Sequence, residues 1–593
     1  MRNLQNRHLA TVLSAGLIAS LAWGCGQKDA SNAHQVPDAA IGTKPVRGGE
    51  LTVRLSSPPT TFNYLLAADE ATIITSQYLL TSRLVEFDHR TQQFVPGLAE
   101  ALNTAADGRT VEIVLREGLR FSDGNDLTVD DVIFTLNAIY DKRSEAAGLR
   151  DAMLIEDKPI ESRRIDDRRM ILIFPRSVAS VESYLVNLGV LPSHVLRADM
   201  DAGKLATAWK ITSPPESVVS SGPFILTNVK PGERIELGRN PHYWKQDSNN
   251  ERLPYLDRLI LQVAVDPNNT LIQLKQGAID LADRIRGSDL SALSQEEGPV
   301  RAVSSGPGLG VDHLWFNLNV NDPKGRPLDN SEKRAWFADS RFRRAVAMAV
   351  DRDSIASLTL QGLATPLHGF VSPANRVWLN ERLPRIAYDL ETAEKLLEEA
   401  GFRRTGTEEN PALLDTAGRP VEFTVVVPAE NEPRLLMASV IQHDLGKLGI
   451  KMRIAPLEFA ALTKKWTETY EYDAALLGIA QGDIEPSSYQ SFLLSSGDTH
   501  QWRPNQKSPV TGWEAKIDRL FAEQATERDA SRRRALFDEI QLIMQDEMPV
   551  IPIVARHVTA AATKRVGNFA PSSILPYSLW NADELFVNAS PAR

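Results

Sequence analysis

Across 593 residues there is a single cysteine, Cys25. That excludes an internal disulfide framework, CxxC redox chemistry and any cysteine zinc site. The ten histidines are scattered, and no two stand three or four residues apart. No metal site, and no other cofactor, is therefore expected. Positive charge is in deficit, with 66 Lys and Arg against 76 Asp and Glu and a net charge of −10. A nucleic-acid partner needs clustered Lys and Arg, so none is expected. Catalytic signatures are missing too: there is no HExxH, no G-x-S-x-G elbow and no Walker lysine loop. Gly306-Pro307-Gly308-Leu309-Gly310 is glycine-rich but lacks the strand-to-helix context and third-glycine spacing of a dinucleotide loop. Asp123-Gly124-Asn125-Asp126 has the wrong spacing for an EF-hand. Acids are too numerous for a glycosidase-like carboxylate pair to be excluded on sequence alone.

What is present begins with a leader. Arg2, Arg7 and His8 precede an apolar run, Leu9 to Trp23, of 15 residues. A membrane span needs roughly 20, so the run suits the core of a signal peptide. It ends Leu21-Ala22-Trp23-Gly24-Cys25, which is similar to a bacterial lipobox, with the leucine one place early and a bulky Trp23. The alternative is an ordinary secretory signal with a chance cysteine. Residues 26–47 are polar, without apolar periodicity, and read as a flexible tether.

The remaining chain is too long for one core, so two or more domains are expected. Val111 to Leu115 reads as a strand, Asp123 to Asp126 as a turn, and Thr128-Val129-Asp130-Asp131 as a capping box. The helix it opens carries Val129, Val132, Ile133, Leu136 and Tyr140 on one face. Glu70 to Ser82 reads as helical. Pro231-Gly232 reads as a hairpin turn. Asp339, Asp351 and Asp389 cap further helices, Gly401 ends one, and Pro433 opens another. Strands are expected at Leu259 to Val265, His313 to Asn319, Val421 to Val427, Tyr472 to Gly478 and Met548 to Ile553. Trp244 and Trp315 read as packing residues. Strands alternating with helical patterns give an α/β class.

Several blocks, in order, carry a resemblance: Gly48-Gly49-Glu50-Leu51-Thr52-Val53, Pro96 to Leu102, Leu115 to Leu136, Ser221-Gly222-Pro223-Phe224, Lys230 to Glu233, Arg239 to Trp244, and the run through Leu271, Leu274 and Ile279 to Ala282. Residues 48–560 thereby resemble the extracytoplasmic solute-binding proteins of peptide ABC importers (family 5, dipeptide- and oligopeptide-binding type). The resemblance implies a two-lobed periplasmic-binding-protein fold of class II, the large type with an extra domain, hinged between lobes. The implied organisation is a lipoprotein signal and lipobox at 1–25, the tether at 26–47, lobe I at 48–82, 215–312 and 554–593 with its extra domain at 83–214, and lobe II at 313–553. In peptide-binding members an aspartate ahead of an acid–proline pair takes the ligand's α-ammonium, and Asp483, before Glu485-Pro486, is the residue that matches. The Asp-x-Glu-Pro spacing is shorter than in some dipeptide and oligopeptide binders and closer to a branch with Asp-Pro-Asp-Pro. The alternative is that Asp483 and Glu485 are solvated turn acids. Tyr64, Ser220, Gly222 and Ser372 are cleft-lining candidates by position, with core or turn roles as alternatives.

The resulting expectation is a monomeric, non-enzymatic lipoprotein, periplasmic or at the cell surface. It would be anchored through lipidated Cys25 and would deliver a short peptide to the permease subunits of an ABC transporter. The alternatives are a non-peptide solute (oligosaccharide, nickel chelate or haem), a sensor or chaperone on the same fold, and, from another class, a surface hydrolase. Gly26 is not the aspartate that favours inner-membrane retention, which points to the outer membrane in a diderm host.

Overall fold

The computed structural model describes residues 44–328, 331–479 and 481–588. Cys25, the leader and most of the tether lie outside them. Strand Glu50–Leu55 buries every second residue, Leu51, Val53 and Leu55, as one-sided strand pairing requires. It runs parallel to Arg258–Val263 and pairs through Val53 with Leu281–Asp283. Outside it lies the hairpin Phe224–Lys230 and Arg234–Arg239, turned by Pro231 to Glu233, with Gly232 at φ +74°. On the other side the sheet continues through Val550–Thr563, Val311–Phe316, Ala474–Ile479, Glu422–Pro428 and Lys451–Leu457. All six residues of Val311–Phe316 are buried, so this strand is covered on both faces.

Two large cores flank the centre of this sheet. One draws on Leu51 to Leu281 and Ala560 to Val587. The other runs from Leu314 to Val554 and includes the fully buried Trp315. Two strand segments connect them. Val300–Pro307 leads through Gly308 to Gly310 into Val311–Phe316, and the 14-residue strand Val550–Thr563 lies antiparallel to both. The glycine-rich stretch is therefore the junction between lobes. Gly306 has φ +84°, Gly308 N donates to Arg556 O at 2.9 Å, and the Ser372 hydroxyl donates to Gly308 O at 2.6 Å.

A separate four-stranded antiparallel sheet, ordered Ala99–Thr104, Thr110–Leu115, Arg169–Ile173, Glu161–Arg164, packs beside the first core. Its helix, Val129–Tyr140, opens on the expected capping box, with Thr128 N donating to Asp131 Oδ2 at 2.9 Å. Val129, Val132 and Leu136 are buried while Ile133 and Tyr140 are half-buried. Phe134, Ala138 and Ile139 are buried as well, so the helix is covered on more than one side. The segment expected to be helical from Glu70 is α only to Thr72 and continues as a π-helix, Ile73–Leu79. Among the described residues no helix is long and apolar enough to cross a membrane.

Candidate functional site

The two lobes are in contact, and several polar bonds hold them together. Gln92, at the turn of a lobe I hairpin (Val85–Asp88 with Gln93–Pro96), donates to Ala374 O at 2.7 Å and accepts from Arg376 N at 3.0 Å. Arg376 donates to Arg90 O at 2.7 Å, and Ala179 N donates to Ala525 O at 3.1 Å. Leu309, Ala374, Ile484 and Ile574 form a small apolar cluster across the interface. Behind these contacts lies a cavity of about 140 Å³, lined by Arg83, Glu86, His89, Tyr243, Lys245 and Asp583 from lobe I and by Gly482, Asp483 and Ile484 from lobe II. Phe87, Phe94, Leu579 and Trp580 supply apolar wall. A second, wider cavity of about 680 Å³ shares Gly482, Ile574 and Leu575 with the first and is rimmed by Arg284, Arg434 and Arg556. Buried Asp312 accepts from Arg434 at 2.7 Å and pairs with Arg556 at 3.0 Å, while Arg284 pairs with Glu70 at 2.7 Å.

Most charges in the smaller cavity are already satisfied. Lys245 Nζ lies 3.2 Å from Asp583 and 3.3 Å from Glu86, and the Tyr243 hydroxyl donates to Asp583 at 3.1 Å. Burial pulls the Lys245 ammonium down, but the two carboxylates outweigh it and raise it above its ordinary value. His89 contacts the Ser572 hydroxyl at 2.9 Å and stacks on Trp580; burial lowers it to about 3, so it is neutral at pH 7.

Asp483 differs. Among the described residues no cation pairs with it. Its Oδ1 accepts from Glu485 N at 2.8 Å, a turn that aims the carboxylate into the cavity. The side chain is more than a third exposed, although protein packs densely around it. Desolvation therefore raises its pKa to about 6, with the Glu485 charge adding to the effect and the Glu485 N–H opposing it. Asn375 braces the loop by donating to Ile484 O at 2.7 Å.

The other candidates from sequence sit elsewhere, and none lines either cavity. Glu485 is buried two residues beyond Asp483 in an ion pair with Arg533 at 2.6 Å, and Arg533 in turn lies over the Trp378 ring. Tyr64 donates to Asn187 O at 2.5 Å and accepts from Gly189 N at 2.9 Å. The Ser220 hydroxyl serves backbone groups of Leu80, Gly222 and Phe224. A Cβ on Gly222 would lie 2.6 Å from the Leu80 backbone, so glycine is required there for close approach. Ser372 ties the lobe junction as described. Sequence reasoning did not single out Arg83, Glu86, Lys245 or Asp583, which come from distant stretches with no shared pattern. Trp244 packs against Arg116 and the Tyr243 ring. No group of three or more metal-ligating side chains occurs among the described residues.

Two α/β lobes, joined by paired crossing strands and closed over a charged cavity, define a two-lobed solute-binding protein. The chain belongs to the bacterial extracellular solute-binding proteins, family 5, whose middle region matches residues 93–501. It is 28% identical over 510 residues to a probable ABC transporter-binding protein of Deinococcus radiodurans, covering 82% of this chain and 84% of that one. It is 24% identical over 534 residues to the oligopeptide-binding protein AppA of Bacillus subtilis, covering 88% and 89%. Its fold is similar to the ABC transporter substrate-binding protein CtaP of Listeria monocytogenes, with a TM-score of 0.73 at 22% identity over 92% of this chain and all of the other.

Proposed function

We propose that this protein binds short peptides outside the cytoplasmic membrane and delivers them to the permease subunits of an ABC importer, tethered to the membrane by a lipid on Cys25. It acts by binding and release, without catalysis. The observation that carries this reading is Asp483, a carboxylate with no cationic partner among the described residues, facing the interlobe cavity. An α-ammonium group satisfies it with a charge-assisted hydrogen bond, stronger than a neutral one. Backbone polar groups around the cleft then serve the peptide main chain, which is common to all sequences. Membership of the family and the similarity to a relative named as an oligopeptide-binding protein support the same reading. Calorimetry of the purified protein against di- to pentapeptides, each with a free or an acetylated amino terminus, tests it. Heat is expected with free-amine peptides and little with acetylated ones. No heat with any peptide, together with heat from a nickel chelate, haem or an oligosaccharide, overturns it.

A further inference from the structure

We propose that lobe II carries a second solute site, separate from the interlobe cleft, that takes a small monocarboxylate with an apolar body, held on Arg334. The proposal does not rest on the peptide reading. A third cavity, of about 910 Å³, lies wholly within lobe II and shares no lining residue with the two between the lobes. Its floor is one face of the parallel pair Glu422–Pro428 and Lys451–Leu457, through Thr424, Val426, Ala455 and Leu457. Parallel strands are normally covered on both faces. Helix Glu432–Lys447 packs on the same pair but lends no residue to the cavity, so it covers the other face. On the cavity side, helix Phe459–Lys464 continues as a π-helix, Lys465–Thr469, and ends at Tyr470 with φ +58°. A tyrosine seldom adopts the left-handed region, and π-turns concentrate at functional sites. Lys465, Thr469 and Tyr470 all line the cavity.

Arg334 supplies the anchor. Its Nη1 donates to Asn317 O at 3.0 Å, while Nε is buried without a partner. No carboxylate among the described residues pairs with it. Asp473, on the same wall, is taken by Lys333 at 2.8 Å and by Thr424 N at 3.0 Å. Burial holds the guanidinium below its ordinary value, with Tyr472 and Asp473 opposing. The other charges of the lining are paired, Arg326 with Asp322 and Lys465 with Glu471, or exposed, as are Lys324 and Glu468. A half-buried guanidinium with free N–H groups suits the planar fork of a carboxylate. The apolar strand face beside it suits a hydrocarbon or aromatic body, the usual make-up of a solute pocket. The lining holds as many acids as cations, so a second negative charge would gain no net attraction. The class is therefore a monoanion rather than a phosphate ester or a nucleotide.

Calorimetry of the purified protein against octanoate, 3-phenylpropionate and indole-3-acetate, each beside its amide, tests the proposal. At least one acid should bind saturably, with its amide at least about tenfold weaker. Phenyl phosphate should bind more weakly than 3-phenylpropionate. Hydrogen–deuterium exchange with the bound acid should show protection in strand Glu422–Pro428 and in residues 451–473, and none around Asp483. Arg334→Gln should bring the acid down to the affinity of the amide, and Ala455→Phe, which fills the floor, should remove binding of both. No binding by any of the three acids, amides as tight as the acids, or tighter phenyl phosphate overturns the proposal. Protection around Asp483 instead puts the acid in the interlobe cleft and also overturns it. These readings need no variant to fold. In folded variants, judged by circular dichroism, an unchanged affinity for the acid in Arg334→Gln or in Ala455→Phe does the same.

Discussion

Replacing Asp483 by Asn should move stability and affinity in opposite directions. Without ligand the carboxylate has no counter-cation among the described residues, and partial desolvation by the protein around it raises its pKa from 3.8 to about 6. A carboxyl whose folded pKa lies above its unfolded value is destabilising when ionised, so at pH 7 the charge works against the fold. The full shift corresponds to at most about 3 kcal/mol. The side chain is more than a third exposed, and solvent screening reduces the expected gain on removing the charge to about 1 kcal/mol. In a chain of this size that is a rise of roughly 1 °C in the melting temperature of the empty protein. Asn keeps an oxygen for the Glu485 N–H, so the loop turn survives. Affinity for a free-amine dipeptide should fall by about 2 kcal/mol or more, roughly 30-fold, because the ammonium loses its charged partner. The pH profile gives a second reading. Only the ionised carboxylate receives the ammonium, so affinity should drop about tenfold from pH 7 to pH 5 in the unaltered protein. In the variant that slope should vanish. Differential scanning fluorimetry and calorimetry between pH 5 and 8 measure both. A variant that loses stability, or one that keeps the acid-side decline in affinity, refutes the reasoning.

Three further outcomes are expected. Glu485→Gln leaves the Arg533 guanidinium buried against Trp378 without its charge partner, and urea unfolding should show a loss of about 3 kcal/mol; a loss below about 1 kcal/mol would mean that Gln524, 3.3 Å from Arg533, suffices. Gln92→Ala removes both bonds to the Ala374–Arg376 loop; calorimetry should show affinity for the cognate peptide lowered about fivefold with little change in melting temperature, and unchanged affinity would sink the idea that these bonds favour closure. Asp283, held by Ser578, is raised to about 7 chiefly by burial, so its ionisation costs stability that grows as pH rises from about 4 to 7. Asp283→Asn should therefore melt higher than the unaltered protein at pH 8, with the gap closing near pH 4; a gap that does not change with pH would show that the carboxyl is not the source.

Local signals survived translation into structure well. Asp339, Asp351 and Asp389 each accept from the backbone of the helix they precede, and Thr128 with Asp131 completes a reciprocal cap. Such features depend on three or four consecutive residues, which is why they can be read from sequence. The cavity was legible only at Asp483, where a resemblance supplied the position. Arg83, Lys245 and Asp583 line one cavity from loops far apart in the chain, and no spacing encodes that. Ser220 and Gly222 drew attention for the opposite reason. Their position in the chain made them cleft-lining candidates, but the alternative core role holds: Ser220 bonds backbone groups and Gly222 lets two backbone segments approach each other. The glycine-rich stretch at 306–310 reads from sequence as a loop before a crossing strand, but the strand it pairs beside lies about 250 residues away, so the junction itself is not legible there.

That partnership sets how the molecule can move. The strands through residues 300–316 and 550–563 form one antiparallel ribbon, interrupted at Gly308 to Gly310. A ribbon of two hydrogen-bonded strands resists stretching and sliding, because either motion breaks the ladder. Bending and twisting at the interruption leave the register intact. Lobe motion thereby reduces to a swing with fixed ends, and occupancy of the cavity becomes an angle between two outer faces. A docking partner that grips both faces can tell filled from empty without touching the solute.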